Sequence, residues 1–187
     1  AKKDFSGEDR VVCREKGVDH GASDPPPLPT PPERDPRPAG LSKSPLFRAA
    51  AIVLLALAVY ANSFPGAFIA DDVGIVRESP LVRSGSIGRI FAADYWGEGA
   101  GSGLHRPLTI LSYALTWRLL GESAAAFHAV NVALHAAVCA AVYAALLAVG
   151  VSGGVAWAAA ALFAVHPVHT EVVDIITGRA ELLAALF

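Results

Sequence analysis

Two adjacent carboxylates, Asp71 and Asp72, are the residues whose type and position in this sequence best suit catalysis. They follow the apolar run from Leu46 to Ala61 by about ten residues. A carboxylate can act as a general base by taking the proton of an attacking hydroxyl. The alternative is an acidic turn in contact with solvent, because an Asp-Asp pair in a loop carries little specificity by itself.

Two arginines are candidates for binding an anion. Arg106 follows His105 and precedes Pro107, which suits the first turn of a helix. Arg179 lies near the predicted start of another helix. Arginine binds phosphate through bidentate contacts, so both residues could hold a charged leaving group. For Arg179 the alternative is an ion pair with Glu181 that caps its helix.

A third group of candidates lies between residues 166 and 171. His166, His169 and Glu171 have a spacing that could ligate a metal ion. Pro167 indicates a loop or the start of a helix, which does not suit a regular helix that carries ligands. The sequence therefore leaves a divalent metal open at these side chains.

Three polar residues, His128, Asn131 and His135, share one face of a later apolar segment. Their separations of three, four and seven residues place them on the same side of a helix. Side chains of this kind pack against a neighbouring helix as a polar seam, and we expect that role here.

The composition indicates a membrane protein. Hydrophobic residues make up 53% and charged residues 17% of the 187 positions, whereas soluble domains carry about 25% charged residues. Five charged residues follow position 121. The net charge of −2 and the lack of a basic patch argue against nucleic acid as a partner. The two cysteines provide neither a disulfide framework nor a cysteine metal site.

The chain divides into a tail, 1–44, and an apolar region, 45–187. The proline-rich tail is expected to be disordered and cytoplasmic. The first apolar run, extended by its flanks to 45–63, approaches the roughly 20 residues of a membrane span. A cleaved signal peptide competes with this interpretation, but the run begins more than forty residues into the chain and further apolar segments follow.

The fold class predicted from these segments is an all-α membrane protein, a multispanning helical bundle with a long first outer loop. The loop covers 64–125 and carries interfacial helices. Further spans are expected at about 126–149 and 153–167, and from 181–187 onward. Because 107–120 gives only about 20 Å of helix against a hydrocarbon core of about 30 Å, we expect an interfacial helix there.

A second amphipathic helix is expected within Ile87 to Trp96, with four side chains toward the membrane surface: Ile90, Phe91, Tyr95 and Trp96. The interfacial assignment of 107–120 determines whether the polar clusters meet. If that helix crossed the membrane, Asp71 and His166 would lie on opposite sides. If it lies flat, the next two spans return the chain to the outer face. We favour this converging arrangement, since ionisable groups in membrane segments are functional candidates.

Four sequence blocks occur in an order that resembles one known family. The blocks are FIADD, HRPLTILSYALTWRLLG, AFHAVNVALHAAV and ALFAVHPVHTEVVDIITGRAELLAALF. The last is long and specific. Over about residues 46–187 the order resembles the amino-terminal half of the transmembrane, tetratricopeptide-repeat-containing O-mannosyltransferases. The resemblance implies a fragment, with further spans and a carboxy-terminal repeat domain in the whole protein.

This family is similar to the wider class of multispanning glycosyltransferases that use polyprenyl-phosphate sugars, in which an acidic residue of the first outer loop is catalytic. The resemblance implies that Asp71 or Asp72 is catalytic. It also implies a polyprenyl- or dolichyl-phosphate donor, mannose as the sugar, a protein Ser/Thr acceptor, and a multi-pass location in a bacterial inner membrane or the endoplasmic reticulum. The residues expected at the donor phosphate and pocket are His105, Arg106, His166, His169, Glu171 and Arg179.

A non-catalytic membrane scaffold or a transporter is the alternative class. The polar groups would then form a proton or ion path through the bundle. Tetratricopeptide repeats after the last span would favour the transferase, whereas inverted membrane repeats would favour a transporter.

Overall fold

A computed structural model describes residues 44–187, and the expected tail therefore lies almost entirely outside the described residues. All regular secondary structure within 44–187 is helical and no strand is present there, which confirms the all-α prediction. Eight α-helices follow one another: α1 Pro45–Val59, α2 Pro80–Ser84, α3 Ile87–Ala92, α4 Pro107–Leu120, α5 Ala124–Ala148, α6 Gly153–Val165, α7 Thr170–Asp174 and α8 Arg179–Leu186.

Helices α1, α5 and α6 pack together as a bundle whose contacts are made largely by small side chains. Tyr60 at the end of α1 packs its ring edge on His135 of α5, with the centroids 5.0 Å apart. Arg48 near the start of α1 lies against Gly153 at the start of α6. Helices α1 and α6 therefore run parallel, and α5 runs antiparallel to both.

This arrangement places the residues after α1 and the residues after α6 at the same end of the bundle. The Tyr60 hydroxyl donates to the backbone carbonyl of His166, 3.2 Å away, just past α6. Gly66 lies against His128, near the start of α5. The chain between α1 and α5 thus begins and ends at this end, and α4 does not carry it to the other end.

Helix length supports fewer spans than the sequence predicts. Two helical segments in the described region are long and apolar enough to cross a membrane, Pro45–Ser63 with 19 residues and Ala124–Ala148 with 25. Helix α6 is apolar but has 13 residues, which gives about 20 Å of helix. A full span at 153–167 is therefore not supported by helix length.

A second layer packs at this end of the bundle around α4. The helix expected at 107–120 is present, with Pro107 in its first turn and Gly121 in a positive-φ conformation, φ 87°, after its last residue. Its inner face meets α2, α3 and α5. The structure corrects the orientation expected for Ile90 and Tyr95, which are buried in this core rather than turned toward a membrane surface.

Candidate functional site

The two adjacent carboxylates point in different directions because the chain turns sharply just before them. Ala70 has a φ of +45°, a conformation that costs free energy in a residue with a Cβ and often marks functional sites. The turn is closed by the backbone N–H of Asp72, which donates to the Ile69 carbonyl, 2.9 Å away. Asp71 is exposed after this turn, whereas Asp72 is fully buried.

Asp72 is bound by backbone donors from a distant part of the chain. Its carboxylate accepts from the N–H of Thr177 at 2.8 Å and from the N–H of Ile176 at 3.4 Å. It also accepts from the N–H of Ile69, at 3.4 Å, within its own turn. These bonds satisfy a buried charge, so Asp72 joins the first loop to the segment before α8.

Arg179 is also a buried structural residue. Its guanidinium donates to Asn131 Oδ1 at 2.8 Å, to Thr116 Oγ1 at 2.9 Å and to the Phe127 carbonyl at 3.0 Å, and it stacks over the Tyr113 ring, 4.8 Å from its centroid. Burial lowers the pKa of Arg179 to about 10, so it remains charged at neutral pH. Arg179 is therefore buried in the core, where a phosphate from solvent cannot reach it, contrary to the sequence-based expectation.

A cavity of about 530 Å³ lies beside Asp71. It is bounded by the first loop on one side and by the segment from α7 to α8 on the other. Three residues predicted from the sequence meet here: Asp71, Arg106 and Glu171. Other side chains that line it include Tyr95, Trp96, Thr177 and Glu181.

Arg106 is the basic side chain among the described residues that line this cavity. Its Nη1 forms an ion pair with Glu181 Oε1 at 3.3 Å, and its guanidinium lies 5.3 Å from the centroid of the Tyr95 ring. Burial raises the pKa of Tyr95, so its phenol stays neutral beside Arg106. The ion pair proposed between Arg179 and Glu181 is wrong, because Glu181 faces Arg106 and Arg179 turns into the core.

The three histidines predicted to line the pocket lie outside the cavity. His105 Nε2 is 2.9 Å from the Phe91 carbonyl oxygen. His166 Nδ1 accepts from the Val168 N–H at 3.2 Å. The His169 ring packs on Phe163, with centroids 4.2 Å apart, and burial lowers its pKa. No group of three potential metal ligands occurs within 44–187.

The expected polar seam on α5 is present for two of its three residues. Asn131 donates to backbone carbonyls of the α7–α8 segment, including that of Ile175 at 3.0 Å. The His135 ring contacts the Ala164 carbonyl at 3.2 Å. His128 is 2% exposed and neither ring nitrogen has a partner among the described residues. The seam fixes α5 against α6 and the segment that carries Thr177.

Sequence reasoning missed Tyr95, Thr177 and Glu181 as neighbours of the candidate base. The sequence suggests Glu181 only as a partner of Arg179, two positions away. The positions of Tyr95 and Thr177 carry no distinctive spacing, and their contribution depends on contacts between distant segments. A polar residue directly before the Gly178-Arg179 pair was the available indication for Thr177.

Comparison with known proteins identifies the family. No family model and no solved structure matches the chain. The chain is 44% identical over 151 residues to Protein O-mannosyl-transferase TMTC1 of Mus musculus, a match that covers 75% of this chain and 16% of the relative. It is 38% identical over 154 residues to TMTC1 of Homo sapiens, covering 79% and 18%.

A more distant relative shows the same relationship. Protein O-mannosyl-transferase F38B6.6 of Caenorhabditis elegans is 32% identical over 165 residues, covering 84% of this chain and 24% of the relative. The chain therefore spans between about a sixth and a quarter of the length of these relatives. With such matches over most of its length, the chain belongs to the TMTC family of protein O-mannosyl-transferases.

Proposed function

We propose that the protein transfers a sugar, mannose, from a polyprenyl- or dolichyl-phosphate donor to a serine or threonine hydroxyl of a protein, with Asp71 as the general base. The observation that carries this proposal is the division of the carboxylate pair. Asp72 is committed to backbone donors, while Asp71 is exposed in a cavity that also contains Arg106. The relatives are named protein O-mannosyl-transferases, and this supports the reaction class.

The residues suit one displacement step. The acceptor hydroxyl oxygen attacks the anomeric carbon and forms a new C–O bond, while Asp71 takes the hydroxyl proton. The bond between the anomeric carbon and the phosphate oxygen breaks, and its electron pair leaves with the lipid phosphate. Arg106 stabilises the charge on that leaving phosphate. Glu171 and Thr177 offer polar contacts for the sugar hydroxyls.

The ends of the bundle support a membrane arrangement for this reaction. Within 44–187, the segment Pro45–Ser63, which contains α1, and helix α5 are apolar and long enough to span, and the cavity lies at the end where α1 finishes. We place this end on the non-cytoplasmic face of a bacterial inner membrane or the endoplasmic reticulum, with α4 at the interface. A lipid-borne donor would then reach the cavity from the bilayer and the acceptor protein from the aqueous side.

The experiment is transfer of radiolabelled mannose from a polyprenyl phosphate to an acceptor peptide by the full-length protein in membranes. A positioned general base contributes about 10²- to 10⁴-fold, so Asp71→Asn should lower the transfer rate by that factor. Glu78→Gln, an exposed acidic residue outside the cavity, is the matched control. Parental transfer by Asp71→Asn, with its membrane insertion verified, would refute Asp71 as the base.

A further inference from the structure

The ion pair of Arg106 and Glu181 separates two adjoining spaces. Both residues line the 530 Å³ cavity that contains Asp71, and both also line a groove of about 400 Å³ between α4 and α8. Beyond the pair, the groove is bounded mainly by apolar side chains, among them Leu108, Leu183 and Phe187. The cavity that carries the carboxylates and the apolar groove thus meet at Arg106.

The pair itself is suited to exchange. One contact of 3.3 Å joins the two side chains, whose exposed fractions are 36% for Arg106 and 53% for Glu181. Exposed ion pairs of this kind contribute little free energy. An anion that forms bidentate contacts with the guanidinium can therefore replace the Glu181 carboxylate. Arg179, by contrast, cannot exchange partners without leaving buried hydrogen-bond acceptors, Asn131 Oδ1 and the Phe127 carbonyl, unpaired.

Formal charges require such an exchange if the ligand is a phosphate. Three carboxylates, Asp71, Glu171 and Glu181, and one guanidinium, Arg106, line the cavity, a net charge of −2 from one positive and three negative groups. The carboxylates repel a phosphate that enters the cavity unless the phosphate forms an ion pair with the Arg106 guanidinium. The apolar chain attached to the phosphate also needs an apolar surface away from these carboxylates, and the adjoining groove provides one that begins at Arg106.

We infer that the Glu181 carboxylate occupies the position on Arg106 at which the donor phosphate binds, and that donor binding displaces it. The prenyl chain of the bound donor then lies in the groove between α4 and α8. The inference rests on the proposed function for the identity of the donor. It adds a residue that sets donor affinity and a surface that holds the lipid. The sugar, attached to the same phosphate, projects to the Asp71 side of the ion pair.

The test measures binding of farnesyl phosphate to the full-length protein in detergent, without sugar transfer. Glu181→Gln removes the competing charge, so the Kd should fall about two- to five-fold, the range expected for an exposed pair. Glu171→Gln removes the same charge from the cavity without freeing Arg106, and its effect should be smaller. In an Arg106→Gln background, Glu181→Gln should no longer tighten binding. An unchanged or higher Kd for Glu181→Gln, or equal effects of the two Gln variants, would overturn the exchange.

The groove is tested by Ala184→Trp, which fills it from α8. This variant should weaken farnesyl phosphate binding while leaving the binding of inorganic phosphate unchanged. Equal binding of farnesyl phosphate by Ala184→Trp and the parent would show that the chain lies elsewhere. The two proposals fail separately. If Glu181→Gln tightens farnesyl phosphate binding as expected but the protein transfers no mannose, the proposed function is contradicted. If the protein transfers mannose but Glu181→Gln leaves the Kd for farnesyl phosphate unchanged, this inference is contradicted.

Discussion

The Asp72 carboxylate accepts a hydrogen bond from the backbone N–H of Thr177 at 2.8 Å, across 105 positions of the sequence. This contact joins the first polar loop to the segment that precedes α8. The two carboxylates therefore have different roles. Asp72 holds the two segments together, and Asp71 faces the cavity. The Asp72 carboxylate also accepts from the Ile69 N–H across the turn at Ala70, so its contacts support the turn after which Asp71 is exposed.

Replacing Asp72 by Asn should lower the stability of the protein. The amide keeps one acceptor oxygen, but its NH₂ group replaces the other and faces backbone N–H donors. Hydrogen bonds to charged groups contribute about 1.5–3 kcal/mol each, so we expect a loss of about 2 kcal/mol in the free energy of unfolding. Thermal unfolding in detergent measures this loss. Asp71→Asn is the control, since exposed substitutions stay within about 0.5 kcal/mol, and equal shifts for the two variants would contradict the division.

Local patterns predicted the elements of the fold well. Pro107 marks the start of α4 in the sequence as it does in the structure, because proline fits a first helical turn. The long, mainly apolar segment of α5 and the spacing of Asn131 and His135 also led to correct expectations. These features depend on residues a few positions apart, which a sequence displays directly.

The partners of charged side chains could not be predicted in this way. Arg106 and Glu181 are 75 positions apart, and nothing in their neighbourhoods favours that pairing over Arg179 with Glu181. The sequence also left the choice between Asp71 and Asp72 open. Their burial differs because of a single turn and a distant backbone segment, so the distinction exists only once the chain has folded.

Arg179→Lys should destabilise the protein despite keeping the charge. Lysine has no planar fork, so it cannot bind Asn131, Thr116 and the Phe127 carbonyl together. Each buried polar group left without a partner costs about 1–3 kcal/mol. We expect a loss of about 3 kcal/mol, measured by thermal unfolding. Arg118→Lys, on the exposed face of α4, should leave the unfolding midpoint unchanged; a similar shift there would mean that the fork of Arg179 is not the cause.

Gly178→Ala should disturb the segment that lines the cavity. A Cβ at Gly178 would lie 2.4 Å from the Val172 carbonyl oxygen and 2.8 Å from Val172 Cα, so the backbone must move. Overpacking of this kind costs about 1–3 kcal/mol. Gly154→Ala in α6 is the matched control, because nothing lies within 4 Å of its Cβ position and alanine favours a helix. Thermal unfolding should show opposite signs for the two variants, and a stable Gly178→Ala would refute the close packing of this segment.

Because α1 and α6 run parallel, we can predict from which side of a membrane single cysteines at their ends will be labelled. The exposed residues Glu78 and Thr170 follow α1 and α6 respectively, whereas the exposed Ser152 lies in the turn between α5 and α6. If the bundle spans the bilayer, single cysteines at 78 and 170 should react with an impermeant maleimide from one side. A cysteine at 152 should react from the other.

The labelling requires a background in which the native cysteines, Cys13 and Cys139 among them, are replaced, so that only the introduced cysteine can react. Sealed membrane vesicles of known orientation, with and without permeabilisation, distinguish the two sides. Glu78→Cys and Thr170→Cys are expected to label together because the Tyr60 hydroxyl already bonds the His166 carbonyl at the common end of α1 and α6. If positions 78 and 170 label from opposite sides, the chain crosses the bilayer an odd number of times between them in the membrane-bound protein. Asp71 and Glu171 could then not share a cavity, and the assignment of Asp71 as the base would lose its geometric support.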